Sequence, residues 1–201
     1  MALMESVLKP SPSWFHALIY KPLNALRAMS HFLPFFLHNR PAARKSLVFE
    51  YFRSLRLSQT TSNYKIVVAG FCWGGKFTVL LCQNTPSSRV VSPNTQALMP
   101  LVDCGFTAHP SLLKVPADIE DVKIPLSICV GDNDMAIKLQ DVEKTKEILE
   151  GKKTDGLHEV VIVPGAKHGF AIRGLLDDPE QKQHGDLAEK QAVAWFRKWL
   201  M

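Results

Sequence analysis

Hydrophobic positions along the chain change their period once, and the change divides the sequence. Up to Leu57 the spacing is helical: Ser46 to Leu57 places Leu47, Val48, Tyr51, Phe52 and Leu55 along one stripe. Upstream, Pro10, Pro12, Pro22, Pro34 and Pro41 predict short helical pieces instead of one long helix. The polar, turn-prone run Ser58 to Asn63 then leads into short apolar segments. Strands are predicted at Tyr64 to Ala69, Leu101 to Phe106, Pro125 to Val130 and His158 to Val163. Helices are predicted from Gly75 to about Gln83, from Leu139 to Leu149 and from Leu187 to Leu200.

Near-continuous apolar strands alternating with helices predict an α/β fold, with a mostly parallel sheet covered by helices on both faces. The 201 residues suffice for one domain and an added segment. The expected division is a helical N-terminal cap over residues 1–60 and a catalytic core over residues 61–201. No internal repeat is visible.

Composition narrows the function classes. Apolar residues make up 46% and charged residues 21%, the usage of a packed fold. The net charge of +5 is not gathered: Arg40 to Lys45 and Lys152-Lys153 are short, and no nucleic-acid motif accompanies them. No nucleic-acid partner is therefore expected. Trp14 to Leu37 is rich in Leu, Phe and Ile, but Lys21, Pro22, Arg27 and Pro34 interrupt it, so no membrane span is expected. Cys72, Cys82, Cys104 and Cys129 are too widely spaced for a zinc knuckle or a dithiol site. Neither a metal nor a cofactor is expected. Free thiols and the lack of a secretory pattern at the start of the chain suit the cytoplasm.

The sharpest local feature is Gly70-Phe71-Cys72-Trp73-Gly74-Gly75, between a predicted strand and a predicted helix. It has the form of a nucleophile elbow with cysteine in the usual serine position, and glycines two residues to either side are expected to relieve crowding. The helix start favours thiolate over thiol, and the Trp73 amide lies where an oxyanion would form. Two further loops follow strands in the order that places an acid and then a histidine after the nucleophile. They are Gly131-Asp132-Asn133-Asp134 and Pro164-Gly165-Ala166-Lys167-His168-Gly169-Phe170. His168 is the candidate general base and Asp134 the carboxylate that orients it, with Asp132 as the competing acid. Phe71, His109 and Phe170 are candidate pocket-lining residues, His109 because it also follows a strand.

Gly-Phe-Cys-Trp-Gly-Gly-Lys, Gly-Phe-Thr-Ala-His-Pro-Ser, Gly-Asp-Asn-Asp and Gly-Ala-Lys-His-Gly-Phe occur here in that order. Together they resemble the dienelactone hydrolase family of the α/β-hydrolase superfamily, most closely its fungal members, from about Tyr64 to the C-terminus. The resemblance implies a Cys-His-Asp triad carried by Cys72, His168 and Asp134. It also implies hydrolysis of a small-molecule lactone, ester or thioester through an acyl-cysteine. Three features depart from the family. The strands expected ahead of the elbow, with a second oxyanion amide, have no counterpart, so the chain looks N-terminally shortened. Met135-Ala136-Ile137 stands where many relatives carry a proline, and the charged substrate-binding residues of bacterial members are missing. A strand at Tyr64 to Ala69 without neighbours on one side would need covering by a homodimer partner or by the helical cap. The competing expectation is a catalytically weak remnant that binds a small molecule or a protein.

Overall fold

The computed structural model describes residues 16–58, 60–61, 64–92, 95–152, 157–173 and 178–201. Pro10, Pro12 and Trp14 lie outside the described residues, as do Gln59, Ser62 and Asn63 of the polar run and Lys153. The chain falls into two compact units, Met1–Ser46 and Leu47–Met201.

In the first unit a turn of π-helix, His16–Tyr20, leads into α1 (Lys21–His38). Prolines do not cut this segment into the short pieces expected of it. Pro22 sits at the second position of α1, and Pro34 lies inside the helix, four residues before its end, where it removes one backbone bond without ending the helix. The next helix, α2 (Pro41–Leu57), begins at Pro41, and the division between the units falls within it.

The second unit is built on four strands: β1 (Val67–Phe71), β4 (Cys104–Ala108), β5 (Leu126–Asn133) and β6 (His158–Lys167). Their order in the sheet is β1-β4-β5-β6 and every pairing is parallel. Between β1 and β4 lie α3 (Trp73–Cys82) and an antiparallel ribbon of β2 (Arg89–Val91) and β3 (Leu98–Pro100). A short α4 (Ala117–Glu120) precedes β5, and α5 (Leu139–Glu150) connects β5 to β6. After β6 come α6 (Phe170–Arg173) and the long α7 (Pro179–Leu200).

Because each strand is laid down beside the one before it, right-handed crossovers put their helices on the same face. That face is the larger core, where Val68, Leu126, Ile128, Val130 and Val160 of the sheet meet Val79 and Leu80 of α3 and Val142 and Leu149 of α5. Phe49 of α2 is buried in the same cluster. The chain leaves β6 on the other face, where Cys104, Phe106, Ala108 and Cys129 pack against Ala188 and Trp195 of α7. All of β4 is buried, as a central strand covered on both faces should be. This is the mostly parallel α/β architecture expected from the sequence.

Several boundaries move. Pairing in β1 starts at Val67, not Tyr64, because Ile66 is engaged off the sheet: its N–H donates to the Asp103 carboxylate (2.6 Å) and its carbonyl accepts the Asp103 amide (2.7 Å). The Leu101 amide is held by the Ser88 carbonyl, so β4 begins only at Cys104. The last helix starts at Pro179, well before Leu187, because Asp178 caps it by accepting from the Glu180 and Gln181 amides. Among the described residues no helix is long and apolar enough to cross a membrane.

The connection from β4 to β5 is fastened to α3. Lys76 Nζ forms a buried ion pair with Asp118, whose carboxylate also accepts the Lys114 amide. Gln83 Nε2 donates to the Asp118 carbonyl at 2.8 Å, and the Lys123 and Ile124 amides both reach the Cys82 carbonyl at 2.9 Å. Lys76→Met would strand a buried carboxylate and is expected to lower the unfolding free energy by about 3–5 kcal/mol in urea denaturation. Adding Asp118→Asn should recover part of that loss.

Candidate active site

The elbow forms where β1 ends and α3 begins. Cys72 adopts φ 51° and ψ −118°, a left-handed conformation that a non-glycine residue holds only when its surroundings enforce it. The crowding that enforces it is visible at two glycines. A Cβ on Gly70 would run into Thr78 Oγ1 and lie 2.6 Å from the Gly74 carbonyl oxygen. One on Gly75 would meet Thr107 Oγ1 and come within 2.9 Å of the Pro110 backbone. Gly74, the residue two positions after the cysteine, has no atom within 4 Å of such a Cβ. The steric demand expected there falls on Gly75 instead, because the loop after β4 presses on the helix at that position.

Cys72, Asp134 and His168 form one hydrogen-bonded chain. His168 Nε2 lies 3.1 Å from Cys72 Sγ, and His168 Nδ1 lies 2.8 and 3.0 Å from the two carboxylate oxygens of Asp134. Asp134 is held in turn by the Ala136 amide, which donates to Oδ1 at 2.8 Å. Asp132, the competing acid, is engaged elsewhere: its Oδ1 accepts the Gly165 amide at 2.7 Å and ties the ends of β5 and β6 together. After His168 the chain turns sharply at Gly169, whose φ of 93° suits a residue without a side chain.

Electrostatics shift the thiol and the imidazole in opposite directions. Burial pushes the Cys72 thiol up, but the hydrogen bond and charge of His168, the Ser111 hydroxyl and the Trp73 amide outweigh it and bring the thiol below its ordinary 9.0. His168 is raised above 6.5, chiefly by its hydrogen bond to Asp134. His109 has no exposed surface; its ring lies edge-on to His168 at 5.1 Å and near Phe170 and Phe71 at 5.6 and 6.0 Å. Burial and the neighbouring His168 push it down to about 4, the opposite direction to the shift of His168 itself. Neither of its ring nitrogens has a hydrogen-bond partner among the described residues.

The remaining sequence candidates lie around this chain. Phe170 and half-buried Phe71 belong to the smaller core behind it. The Trp73 amide donates towards the sulfur, while its ring stacks edge-on to Phe77 at 4.6 Å. Sequence reasoning passed over Ser111, whose hydroxyl is 3.9 Å from Cys72 Sγ. Its signal was available, since it is a polar residue in a loop leaving the same sheet edge. No group of three or more His, Cys, Asp or Glu residues gathers to hold a metal ion among the described residues.

Comparison with known proteins agrees with the motifs. The dienelactone hydrolase family profile matches residues 36–200. The hydrolase tropI of Talaromyces stipitatus is 29% identical over 147 residues, covering 72% of this chain and 51% of that protein. The human carboxymethylenebutenolidase homolog is 27% identical over 146 residues, covering 72% and 53% respectively. The chain thus spans about half the length of the curated relatives it matches. A dienelactone hydrolase structure from Anabaena variabilis shares the fold with a TM-score of 0.55 at 18% identity, over 90% of this chain and 69% of that one.

The two glycines after the cysteine should respond oppositely to a methyl group. Gly75→Ala is expected to cost about 1–3 kcal/mol in urea denaturation through overpacking. Gly74→Ala should be neutral or stabilising by up to about 1 kcal/mol, as alanine is the better helix former.

Proposed function

We propose that this chain, which belongs to the dienelactone hydrolase family, hydrolyses a lactone, ester or thioester with Cys72 as nucleophile, His168 as base and Asp134 as orienting acid. The observation that carries this reading is the unbroken Sγ···Nε2 and Nδ1···carboxylate line at 3.1 and 2.8 Å. The human relative is named for a butenolide, an unsaturated lactone, which puts cyclic esters among the first substrates to try.

In the first half-reaction the thiol proton moves to His168 Nε2 and the sulfur attacks the carbonyl carbon. The new C–S bond drives the carbonyl electrons onto oxygen, where the Trp73 amide is the available donor. Collapse breaks the bond to the leaving oxygen or sulfur, which takes the proton from Nε2 and leaves an acyl-cysteine. Water then enters, gives its proton to Nε2 and displaces the sulfur, which recovers the proton. Throughout, Asp134 fixes the ring by accepting from Nδ1 and offsets the imidazolium charge.

The test is turnover of p-nitrophenyl acetate and of a butenolide by the purified chain. Cys72→Ala is expected to reduce hydrolysis by at least about 1000-fold. A depressed thiol is deprotonated above its own value and reprotonated as pH falls through it. Activity should therefore rise with pH and level off below 9.0, the ordinary thiol value. Equal rates for wild type and Cys72→Ala would reject Cys72 as nucleophile, and ligand-dependent thermal stabilisation without turnover would favour a binding remnant.

A further inference from the structure

Two non-glycine residues with left-handed backbones, His109 (φ 39°) and Leu112 (φ 61°), bracket Pro110 and Ser111 in the loop that leaves β4. Such geometry persists only where neighbouring contacts over-determine it. Here the contacts are explicit. The His109 amide donates to the Cys129 carbonyl at 2.8 Å, and the Ser111 amide donates to the Cys72 carbonyl at 3.0 Å. That carbonyl also accepts the Gly75 amide at 3.1 Å, so the elbow, the start of α3 and the loop share one acceptor. Further along, the Lys76–Asp118 ion pair fastens the same loop to the same helix. The position of the Ser111 backbone beside the elbow is therefore set by main-chain bonds that do not involve its side chain.

We propose that Ser111 is a second hydrogen-bond donor to the Cys72 thiolate, its hydroxyl closing on Sγ from 3.9 Å once the thiol proton has moved to His168 Nε2. The inference rests on the reading of Cys72 and His168 as nucleophile and base. A neutral thiol is a weak acceptor, and 3.9 Å is a loose contact for it. A thiolate is a far stronger acceptor, and hydrogen bonds to a charged partner are shorter and about twice as strong. The hydroxyl thus stabilises the charged form more than the neutral one, while its own proton stays on Oγ. Burial opposes that charge, and the groups that bring the thiol down include the Ser111 hydroxyl along with His168 and the Trp73 amide. His168 becomes a cation when it takes the proton; Ser111 contributes a donor without adding charge.

The experiment is the rate of iodoacetamide alkylation of Cys72 in the full chain between about pH 5 and pH 10, read by mass spectrometry of the Cys72 peptide. Wild type, Ser111→Ala, Ser111→Thr and His168→Ala are compared. Loss of the hydroxyl should move the rising limb up by about 0.5–1 pH unit and slow alkylation at neutral pH by about 2–4-fold. At the alkaline plateau, where both proteins are fully thiolate, Ser111→Ala should be equal or faster by up to about threefold, since a thiolate without the donor is the better nucleophile. Ser111→Thr keeps the hydroxyl and should return the limb towards wild type. If Ser111→Ala does not fold, Ser111→Gly removes the same group. A limb unmoved in Ser111→Ala but raised in His168→Ala would overturn the role of Ser111 alone. A limb unmoved in His168→Ala would sink the pairing of Cys72 with His168 beneath it. A uniform slowing of Ser111→Ala at every pH, without rescue by threonine, would mark a merely structural residue and also overturn the proposal.

Discussion

At the end of β1 three pieces of backbone come together with no space between them for a side chain. Gly70 lies against Thr78 and the Gly74 carbonyl, and Gly75 lies against Thr107 and Pro110. Contacts this tight leave Cys72 little choice of conformation, and its φ of 51° follows. The sulfur is thereby lifted off the sheet edge at the first turn of α3 and is not folded into the core. The same contacts bring the loop carrying His109 and Ser111 against the elbow. Strand, helix and loop thus hold one another, and the geometry at the sulfur is as stiff as their packing.

Parallel pairing supplies the second condition. Every strand of the sheet runs in one direction, so Cys72, His109, Asp134 and His168, each the residue after the end of its strand, emerge at one edge. Edge alone is not enough, because β1 and β6 are three strand spacings apart, about 14 Å. The 3.1 Å contact between His168 Nε2 and Cys72 Sγ shows that the segments following β6 and β1 close that distance. Asp132 ties the β5 end to Gly165, while a register shift between Gly131 and Asn133 bends the pair locally. A Cβ on Gly131 would collide with the Ala166 carbonyl, which shows how closely β6 is drawn in. His109 packs against the His168 ring, and its neutrality keeps a like charge away from His168.

These two conditions explain which parts were legible in the sequence. The elbow was readable because steric demand writes glycine directly, and the order of cysteine, aspartate and histidine was readable because strand ends are marked by changes of apolar pattern. Gly74 and Gly75 could not be told apart, since the crowding at Gly75 comes from Pro110, far along the chain. Asp132 and Asp134 lie two residues apart at the end of β5, and only the position of β6 decides that one meets Gly165 and the other His168. The ribbon of β2 and β3 has three-residue strands, too short for alternation to register. The first two turns of α7 carry polar residues and depend on the Asp178 cap, so a search for an apolar stripe begins too late. Pro34 misled because a proline inside a helix removes a backbone bond without necessarily ending the helix, and the local sequence does not distinguish the two outcomes.

The four cysteines show that thiol acidity here follows position and not residue type. Cys104 and Cys129 sit in the smaller core, where burial leads the rise of each thiol to about 12. Cys82 is raised as well, with burial as the main cause. Cys72 also feels burial as its largest single influence, yet ends below its ordinary value. The difference lies in the donors directed at it from separate elements: the His168 ring from beyond β6, the Ser111 hydroxyl from beyond β4 and the Trp73 amide from the start of α3. A donor set drawn from separate elements is assembled only when the whole sheet edge is folded. The low thiol value is therefore a property of the tertiary structure, and loosening any one of the three elements would return Cys72 towards the behaviour of the other three.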